Sequence, residues 1–596
     1  MNVPSISHVV QSAIAPILPS MQPGFFGAAT ERPRFGWLHR PAAETADIGL
    51  VIVPPFGYEA ICAHRTLRHL AEQATRAGLI AVRFDLDGCG DSAGDDLEPD
   101  RVDAWLASVS DACDLARHAG AARIVLVGVR LGALLAVRAA ERRDDVAGVV
   151  AIAAPASGKA FVREGRALQM ALGLATPPNP VGALDESVQE LVGFALTEQT
   201  RTALVQIDLK SDTQRPAPAV LLLDRDDLAG NDAWAAHLRE LGVDVNQQRL
   251  PGYVDMMLDP HRAEVAQAIL DATVAFAAQR PRLPTVPSPR PFIEFRTSAA
   301  IGAGAATVVE EVAAIDDCLR GIVTRPPTGE ARCAVILLNA GAIGRIGPNR
   351  LAVAFARELA MRGYLVLRFD QSGIGDSDTR KSGVENTVYS EQAIDDVGVA
   401  VAWVRQLGVS EITVAGLCSG AYHALKAAQA AQPIDAVIAI NPLTFDYKPG
   451  MPLDFAAFRV TADAARYNNA MRNTQSWRKL LRGQVDVRRV ARVLAHRAGA
   501  LVGRHAKNVL RRLRVPLRND LGSALLGIAR RGVAMHFLFA ATDPGHTMLN
   551  EQGGTVVKRL AEDGRLSIRI IEGPDHTFTP RWTHQALLDA MFAVLA

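Results

Sequence analysis

A cysteine between two glycines is the residue best suited to chemistry in this chain of 596 residues. In the run Gly416-Leu417-Cys418-Ser419-Gly420, it follows the strand-like ITVAG and precedes the helix-forming AYHALKAAQAA. Such a strand–turn–helix bend is so tight that a Cβ at either glycine would clash, and its strain presents the central side chain at the end of the strand. The start of the following helix favours a thiolate. The pattern predicts a nucleophilic Cys418, and the alternative is a buried, inert cysteine at a strand end.

Two residues near the C-terminus have the positions expected of partners for this nucleophile. In proteins with this bend, an acid and then a histidine follow downstream, each on a loop after a strand. The strand-like MHFLFA leads to Asp543, and LSIRIIEG leads to His576. We therefore expect His576 to be the base and Asp543 to orient it, with Asp446 and Asp575 as alternatives for the acid. The alternative for His576 is an ordinary surface histidine.

Backbone N–H donors should stabilise the negative charge that develops on the substrate oxygen. We expect one donor from Ser419, directly after the nucleophile, and another from Gly341 or Ala342, in the loop after the strand-like AVILLN. The same loop continues with Arg345 and Arg350. These two arginines are expected either to bind a carboxylate or phosphate of the substrate or to fix the loop in place.

Two motifs occur twice in the chain at nearly constant spacing. GLIAVRFDLDGCGDSAG (78–94) matches GYLVLRFDQSGIGDSDT (363–379), and ARIVLVGVRLGALLAVRAA (122–140) matches EITVAGLCSGAYHALKAA (411–428). The offset is 285 positions for the Asp of Arg-Phe-Asp and 288 positions for the central residue of the glycine-flanked bend. The sequence therefore predicts an internal duplication in which each repeat is a whole domain.

In each half, apolar strand-like runs such as IVLVG and ITVAG alternate with amphipathic helical patterns. Strands without polar alternation indicate a mostly parallel sheet covered by helices on both faces, which is an α/β fold. The prolines of residues 279–291 favour an extended linker between the halves. The predicted organisation is an N-terminal tail (1–20), a first α/β domain (21–278), this linker and a second α/β domain (292–596).

A basic insertion interrupts the second domain at about residues 451–530. It is rich in helix formers and contains WRKLLRGQVDVRRVARVLAHRAG, followed by RHAKNVLRRLRVPLR. We interpret it as a helical lid over the site, whose charge could meet an anionic substrate, such as a pantetheine-linked acyl group or an acidic glycan. The alternatives are a solvated helical face and a patch that lies against a membrane surface.

The first half lacks the residues that this chemistry needs. Arg130 occupies the centre of its bend, and a guanidinium that stays protonated cannot be an acyl nucleophile. Asp255 aligns with the histidine, and Asp226 or Asp227 with the acid. We expect a structural Arg130–Asp255 ion pair, with anion binding by Arg130 as the alternative. The first domain is then an inert partner that packs against the second as one half of a pseudo-dimer.

The overall composition narrows the class of protein. Lys and Arg total 64 against 63 for Asp and Glu, which disfavours a general nucleic-acid-binding protein. The six cysteines are scattered without metal-ligand spacing, so we expect no metal, no other cofactor and a reducing cytoplasm. No apolar run reaches the length of a membrane span, and we expect no transmembrane segment.

The two halves resemble two types of exosortase A system-associated hydrolase, relatives of the serine-aminopeptidase-like α/β-hydrolases. The first half resembles the type with arginine at the bend, through Pro55, Phe56, Glu59, DLDGCGDSAGD (85–95) and GVRLGALLA (128–136). The second half resembles the type with a cysteine nucleophile, through RIGPNR (345–350), RFDQSGIGDSD (368–378) and GLCSGAYHAL (416–425). This resemblance implies two tandem α/β-hydrolase domains and an acyl or ester substrate related to glycan export.

Together these features predict acyl chemistry through an acyl-enzyme on Cys418. With water as the acceptor, the protein hydrolyses an ester or thioester of a small-molecule or glycan-linked acyl group. With a sugar hydroxyl or an amine as the acceptor, it is an acyltransferase. The alternative from another class is a non-catalytic scaffold in a polysaccharide biosynthesis assembly, and a peptidase is a weaker alternative. Selective labelling of Cys418 separates the enzyme from the scaffold.

Overall fold

The structure is a computed structural model that describes residues 20–28, 32–42, 47–171, 185, 187–280, 293–302, 304–451 and 520–595. Two large sheets, each within its own domain, dominate these residues. No helix in the described ranges is long and apolar enough to cross a membrane.

The first sheet has eight strands in the order β1-β2-β4-β3-β5-β6-β9-β10. The pairs β1–β2 and β2–β4 are antiparallel, and all the others are parallel. Its strands are β1 (Ser20–Phe26), β2 (Arg34–Arg40), β3 (Ile48–Val53), β4 (Ile80–Phe84), β5 (Arg123–Val129), β6 (Val146–Ile152), β9 (Ala219–Arg225) and β10 (Asp244–Leu250). A separate hairpin is formed by β7 (Gln189–Leu191) and β8 (Phe194–Leu196). The helices are α1 (Tyr58–Arg76), α2 (Arg101–His118), α3 (Leu131–Ala140), α4 (Gly158–Ala171), α5 (Glu198–Val205), α6 (Asp232–Glu240), α7 (Tyr253–Met256) and α8 (Gln267–Ala278).

The second sheet has nine strands in the order β11-β12-β13-β15-β14-β16-β17-β18-β19, and from β12 onwards this order repeats that of the first sheet. Its strands are β11 (Ser298–Ile301), β12 (Val308–Ala314), β13 (Arg320–Arg325), β14 (Cys333–Leu338), β15 (Leu365–Asp370), β16 (Glu411–Leu417), β17 (Ala436–Ile440), β18 (Ala534–Ala540) and β19 (Leu566–Ile571). The helices are α9 (Leu351–Met361), α10 (Gln392–Gln406), α11 (Ser419–Gln429), α12 (Leu521–Arg530), α13 (Gly545–Gly553), α14 (Thr555–Glu562) and α15 (His584–Leu595).

Each sheet has a hydrophobic core on both of its faces. In the first domain, Trp105 of α2 and Leu134 of α3 belong to the core on one face, and Leu70 of α1 and Phe276 of α8 to the core on the other. The second domain is arranged in the same way. Because both faces are covered, central strands such as β5 are buried along their whole length, which explains their uninterrupted apolar sequences. The predicted α/β fold with mostly parallel sheets and flanking helices is confirmed.

Most of the predicted lid lies outside the described residues, which resume at Asp520. The last part of the predicted insertion forms α12, and its side chains Leu525 and Ile528 are buried in the core of the second domain. This helix therefore belongs to the domain core. The predicted linker (279–291) also lies outside the described residues, except for residues 279 and 280, which follow the end of α8 at Ala278.

The two domains contact each other through the repeated Arg-Phe-Asp and Gly-x-Gly-Asp-Ser motifs. Arg83 of the first domain forms an ion pair with Asp376 of the second at 3.0 Å. Arg368, the equivalent arginine of the second domain, forms an ion pair with Asp91, the equivalent aspartate of the first. The contact is therefore reciprocal, as in an isologous interface. Arg345 lies between them and forms 2.8 Å ion pairs with both of these aspartates and with Asp370.

The serine of each repeated motif has a local structural role. Ser92 donates a hydrogen bond to the carbonyl of Asp85 at 2.8 Å, and Ser377 donates one to the carbonyl of Asp370 at 2.5 Å. Each hydrogen bond closes the loop that follows Arg-Phe-Asp. It therefore holds the aspartate of Gly-Asp-Ser, Asp91 or Asp376, at the interface. The motif that occurs twice in the sequence thus also contributes contacts between the two domains.

Candidate functional site

Cys418 lies in a strained turn between β16 and α11. Its backbone has φ 58° and ψ −113°, a conformation that costs about 1–3 kcal/mol for a residue other than glycine. The flanking glycines are required by close approach: a Cβ at Gly416 would lie 2.3 Å from the carbonyl carbon of Gly420, and one at Gly420 would lie 2.7 Å from the carbonyl oxygen of Asn339. The Cys418 N–H donates to the carbonyl of Ile440 at 2.9 Å, which ties the turn to β17.

His576 and Asp543 lie beside each other on the loops after β19 and β18. The Nδ1 atom of His576 is 2.6 Å from Oδ2 of the buried Asp543. The other carboxylate oxygen accepts the N–H of Gly545 at 2.8 Å, which fixes the carboxylate plane. Asn441 donates to the carbonyl of His576 at 2.7 Å and so holds the histidine loop against the end of β17.

The two alternative acids lie elsewhere. The carboxylate of Asp575 accepts the N–H of Thr579 at 2.6 Å and closes the histidine loop from within. Asp446 lies near the side chains of Tyr422 and Lys426. Of the three candidates, the structure brings Asp543 to the imidazole.

The charges around His576 favour its protonated form. Burial lowers the pKa of this imidazole, but the side chains of Cys418 and Asp543 outweigh that effect and raise the pKa to about 10. The Cys418 side chain, which lines the same cavity, contributes the largest charge interaction with the ring. Since Nδ1 contacts Asp543, Nε2 is the ring atom left to exchange a proton with the thiol. The arrangement favours an imidazolium beside the Cys418 side chain.

Tyr389 is a further side chain at the sulfur that the sequence analysis missed. It lines the same cavity as Cys418, and burial together with this neighbour raises the tyrosine pKa. The ring stacks on Tyr447 with centroids 4.4 Å apart and meets Tyr422 edge-on at 5.1 Å. Tyr389 lies in the loop between β15 and α10, where no motif or periodicity marks it.

One of the expected oxyanion donors is engaged within the protein. The N–H of Gly341 donates to the hydroxyl of Ser419 at 2.8 Å, and this hydrogen bond occupies the donor that we expected to bind the substrate oxygen. Ala342, the next residue, lines the same cavity as Cys418. The backbone of Ser419 opens α11 directly after the nucleophile, as the sequence indicated.

A cavity of about 290 Å³ surrounds Cys418 and His576 and has walls from both domains. The second domain contributes a largely apolar part that includes Ile343, Val388 and Leu443. Six first-domain residues complete the wall: Tyr58, Ile61, Val192, Asp259, Pro260 and His261. The site is therefore a pocket between two domains.

Arg345 and Arg350 do not provide the predicted clamp for a substrate anion. Arg345 is buried and bound by the three interface carboxylates described above. Arg350 donates to three main-chain carbonyls in residues 90–94 of the first domain, at 2.5 to 2.8 Å. Both guanidinium groups join the two domains, because carboxylates and carbonyls of the first domain occupy their donors.

The bend in the first domain keeps the geometry but replaces the chemistry. Arg130 has φ 55° and ψ −118°, close to the values at Cys418. Its guanidinium donates to Glu59 at 2.9 Å and to Glu164 at 2.6 Å. Glu59 is one of the residues that carry the family resemblance of the first half, and it was therefore the signal in the sequence that could have indicated this ion pair. Because these carboxylates occupy the guanidinium, the structure does not favour anion binding there.

The predicted Arg130–Asp255 ion pair is wrong. Asp255 is exposed at the short helix α7, and the residue of that loop which interacts electrostatically with Arg130 is Tyr253. On the loop expected to hold the acid, Asp227 pairs with Arg225 at 2.6 Å. The chain direction after β10 brings the tyrosine inward and leaves the aspartate in solvent.

Comparison with known proteins identifies the fold around Cys418. The family model described as alpha/beta hydrolase fold matches residues 334–487. A hypothetical protein from Pseudomonas aeruginosa is similar in structure at 15% identity, over 44% of this chain and 94% of that one, with a TM-score of 0.33. Ferulic-acid-bound Est1E from Butyrivibrio proteoclasticus is similar at 16% identity, over 42% of this chain and 96% of that one, with a TM-score of 0.32. An alpha-beta serine hydrolase homologue from Coxiella burnetii is similar at 14% identity, over 48% of this chain and 97% of that one, with a TM-score of 0.27. No curated protein matches the chain.

Residues 334–487 of the second domain therefore match the alpha/beta hydrolase fold. Together, the family match and the arrangement of side chains at the end of its sheet are those of an enzyme of the ester-hydrolase kind.

Proposed function

We propose that the second domain hydrolyses an ester or thioester through an acyl-enzyme on Cys418. The observation that carries this proposal is the series of side-chain contacts from Cys418 to His576 and from His576 to Asp543. A thiol beside an imidazole that a carboxylate orients is the arrangement that activates a cysteine nucleophile.

In the acylation step, the Cys418 sulfur attacks the substrate carbonyl carbon while His576 holds the thiol proton. The carbonyl becomes an oxyanion, and its collapse breaks the bond to the leaving group, which takes the proton from His576. In the second step, water attacks the thioester and gives a proton to His576. The carboxylic acid leaves, and the proton returns to the sulfur. Asp543 keeps the imidazole oriented throughout.

We assign stabilisation of the oxyanion to the backbone N–H groups of Ser419 and Ala342. The first directly follows the nucleophile at the start of α11, and the second lines the cavity beside it. Donors held rigidly at the position of a developing charge lower the barrier because they need no reorganisation. The Tyr389 side chain lines the same cavity as Cys418, and we assign it the role of orienting the thiol between attacks.

The first domain is an inert pseudo-hydrolase in this proposal, and the chain is a fused pair that arose by duplication. The shared strand order and the reciprocal ion pairs support this view. The proposed units are residues 21–278 and 292–596, joined by the linker. The arginine at the first bend excludes acyl chemistry there.

The resemblance to exosortase A system-associated hydrolases extends the proposal to a substrate class. It predicts an acyl group on a glycan or a small molecule, which the basic segment within 451–530 would help to hold. Assays of acetate release from an acetylated acidic polysaccharide and from acetyl-coenzyme A, run in parallel, separate the two substrate types.

The acyl-enzyme can be tested with p-nitrophenyl acetate and intact-protein mass spectrometry. We expect a burst of p-nitrophenol and one acetyl group on Cys418, with loss of both in Cys418→Ala. The variant His576→Ala should slow turnover by about 10³-fold or more. Cys333→Ala is the matched control, because Cys333 lies at the start of β14 without a histidine partner, and it should leave both signals unchanged.

An unacetylated Cys418, or one no more reactive than Cys333, would overturn the enzyme proposal and favour the scaffold. Adding an amine or sugar hydroxyl distinguishes the two acyl acceptors. Release of acetate at an unchanged rate supports hydrolysis, and the appearance of acetylated acceptor contradicts hydrolysis in favour of transfer.

A further inference from the structure

First-domain residues that line the Cys418 cavity come from three separate segments. Tyr58 and Ile61 lie in the first turn of α1, Val192 at the tip of the β7–β8 hairpin, and residues 259–261 on the loop before α8. An inert domain that only supported its partner would not need to reach the nucleophile's cavity with three elements. The placement of each element is fixed by its own set of contacts.

The loop at residues 259–263 is fastened on both sides. The Tyr58 hydroxyl donates to the Asp259 carboxylate, which joins the loop to α1. Asn386 of the second domain donates to the carbonyl of Pro260 at 2.9 Å. Arg65 forms an ion pair with Glu385 at 2.9 Å and also donates to the carbonyl of Ala263 at 3.0 Å. The second-domain segment that receives these contacts leads within a few residues to the tyrosine at the sulfur.

The β7–β8 hairpin is pressed against the rim of the cavity. Val192 has φ 49°, which is strained for a β-branched side chain, and Gly193 has φ 85°. A Cβ at Gly193 would lie 2.4 Å from the side-chain amide carbon of Asn349, which itself lines the cavity. Glu190 accepts the N–H of Arg581 at 2.9 Å and ties the hairpin to the second domain. These contacts hold the hairpin in its strained conformation, and this conformation places Val192 at the pocket.

The chemistry of this wall is mixed. Ile61, Val192 and Pro260 continue the apolar surface that the second domain begins, so an alkyl portion of an acyl group is favoured there. Asp259 adds a solvent-exposed carboxylate to this wall, and its acceptor capacity exceeds the one side-chain hydrogen bond it receives from Tyr58. A carboxylate there favours a ligand that brings a hydroxyl or ammonium donor, because a hydrogen bond to a charged acceptor is stronger than one between neutral groups.

We infer that the first domain supplies the specificity wall of the acyl pocket, and that Asp259 selects acyl groups that carry a hydroxyl or amino group. This inference rests on the proposed acyl chemistry of Cys418 and names its substrate class. The first domain thus takes part in substrate recognition without taking part in the reaction.

The test compares p-nitrophenyl butyrate with p-nitrophenyl 3-hydroxybutyrate on the full-length protein. We expect kcat/KM to favour the hydroxylated ester in the unaltered chain and Asp259→Asn to reduce that preference by about threefold, the size expected for a solvent-exposed polar contact. The matched control is Asp255→Asn, an exposed aspartate of the same domain outside the cavity, which should leave the preference unchanged. The rate of Cys418 alkylation by iodoacetamide should be the same in all three proteins.

A second variant tests the wall by size. Val192→Gly suits the positive φ at that position and removes the side chain from the pocket, so it should fold and enlarge the cavity. We expect the kcat/KM ratio of p-nitrophenyl hexanoate to p-nitrophenyl butyrate to rise by about fivefold.

The outcomes separate this inference from the proposed function. Acylation of Cys418 with ester preferences that are identical in Asp259→Asn, Val192→Gly and the unaltered chain would overturn the specificity wall and leave the acyl chemistry standing. If none of the three esters acylated Cys418, the proposed function itself would be overturned.

Discussion

The turns at Cys418 and Arg130 have nearly the same backbone and opposite chemical properties. Their φ and ψ angles differ by only a few degrees, and both sit between a central parallel strand and the helix that follows it. One presents a small nucleophile next to a histidine, and the other presents a cation held by two glutamates. The comparison shows that the same strained turn can hold side chains of opposite chemistry.

The reason lies in how tightly the helix after the turn packs on the sheet. In the first domain, a Cβ at Gly128 would lie 2.3 Å from the carbonyl oxygen of Gly132, and one at Gly132 would lie 2.4 Å from the carbonyl oxygen of Val53. The main chains of α3, β5 and β3 touch at this point, so any relaxed turn would separate the helix from the sheet. The fold itself requires the strain, and the ion pairs of Arg130 compensate for it.

The largest effect should come from removing Asp543, the acid that orients His576. Asp543→Asn keeps the size of the side chain but disfavours the imidazolium, so we expect kcat/KM for p-nitrophenyl acetate to fall by about a thousandfold. Asp575→Asn is the control, since its carboxylate bonds to a backbone N–H of the same loop and not to the imidazole. Equal losses in the two variants would contradict the assignment of Asp543.

The next effect concerns the stability of the inert turn. Arg130→Met leaves Glu59 without its buried partner, and we expect the free energy of unfolding of the first domain to fall by about 2 kcal/mol. Urea denaturation followed by fluorescence measures the change. Arg225→Met is the control, because it breaks the more exposed pair with Asp227 and should cost less than about 1 kcal/mol. A loss no greater than in the control would show that the ion pairs do not hold the turn.

The pH dependence of alkylation should distinguish the site cysteine from an ordinary one. His576, with a pKa raised to about 10, stays an imidazolium through the neutral range and loses its proton only as the pH rises through that value. Burial and the neighbouring Glu411 raise the pKa of Cys333, so its thiolate becomes appreciable only at alkaline pH. We expect the ratio of the iodoacetamide rate at Cys418 to that at Cys333 to fall by about a hundredfold or more between pH 7 and pH 10, because the thiolate fraction of Cys333 rises by that factor. A ratio independent of pH would count against the thiolate–imidazolium pair.

The last prediction is that a cysteine placed at the first-domain turn gains no acylation activity. Arg130→Cys places a thiol on the same strained turn, but the equivalent loop offers Tyr253 and no histidine. We expect residue 130 to acquire no acetyl group from p-nitrophenyl acetate in a Cys418→Ala background, as judged by mass spectrometry. Acetylation there would mean that the turn alone activates a thiol, and the comparison would lose its basis.

Patterns within a single repeat were sufficient to predict much of the fold. The apolar runs located the central strands, because a strand covered on both faces has no polar alternation. The glycines around Cys418 and Arg130 identified both turns, since only glycine allows the main chains to approach so closely. The order of Asp543 and His576 along the chain placed them on the adjacent ends of β18 and β19.

Contacts between the repeats could not be predicted from such patterns. The first-domain wall of the cavity depends on how two surfaces meet, which no periodicity encodes. For the same reason, Arg345 and Arg350 were open to two interpretations: an arginine beside a site can serve a substrate or a neighbouring domain, and only packing decides between them. Tyr389 lies in an irregular loop, where spacing carries no information about direction.

Arg345 occupies a position that a symmetric pair of identical subunits could not provide. The connection from β14 to α9 that carries it is longer than the four residues between β3 and α1, so no equivalent arginine exists in the first half. Asp91 and Asp376, one from each half, share this single guanidinium as their common counter-ion. If two identical subunits met in this way, symmetry would bring a second guanidinium to the same central position, where the two cations would repel each other. A covalent tandem removes that constraint and permits an odd number of charges at the centre of the junction.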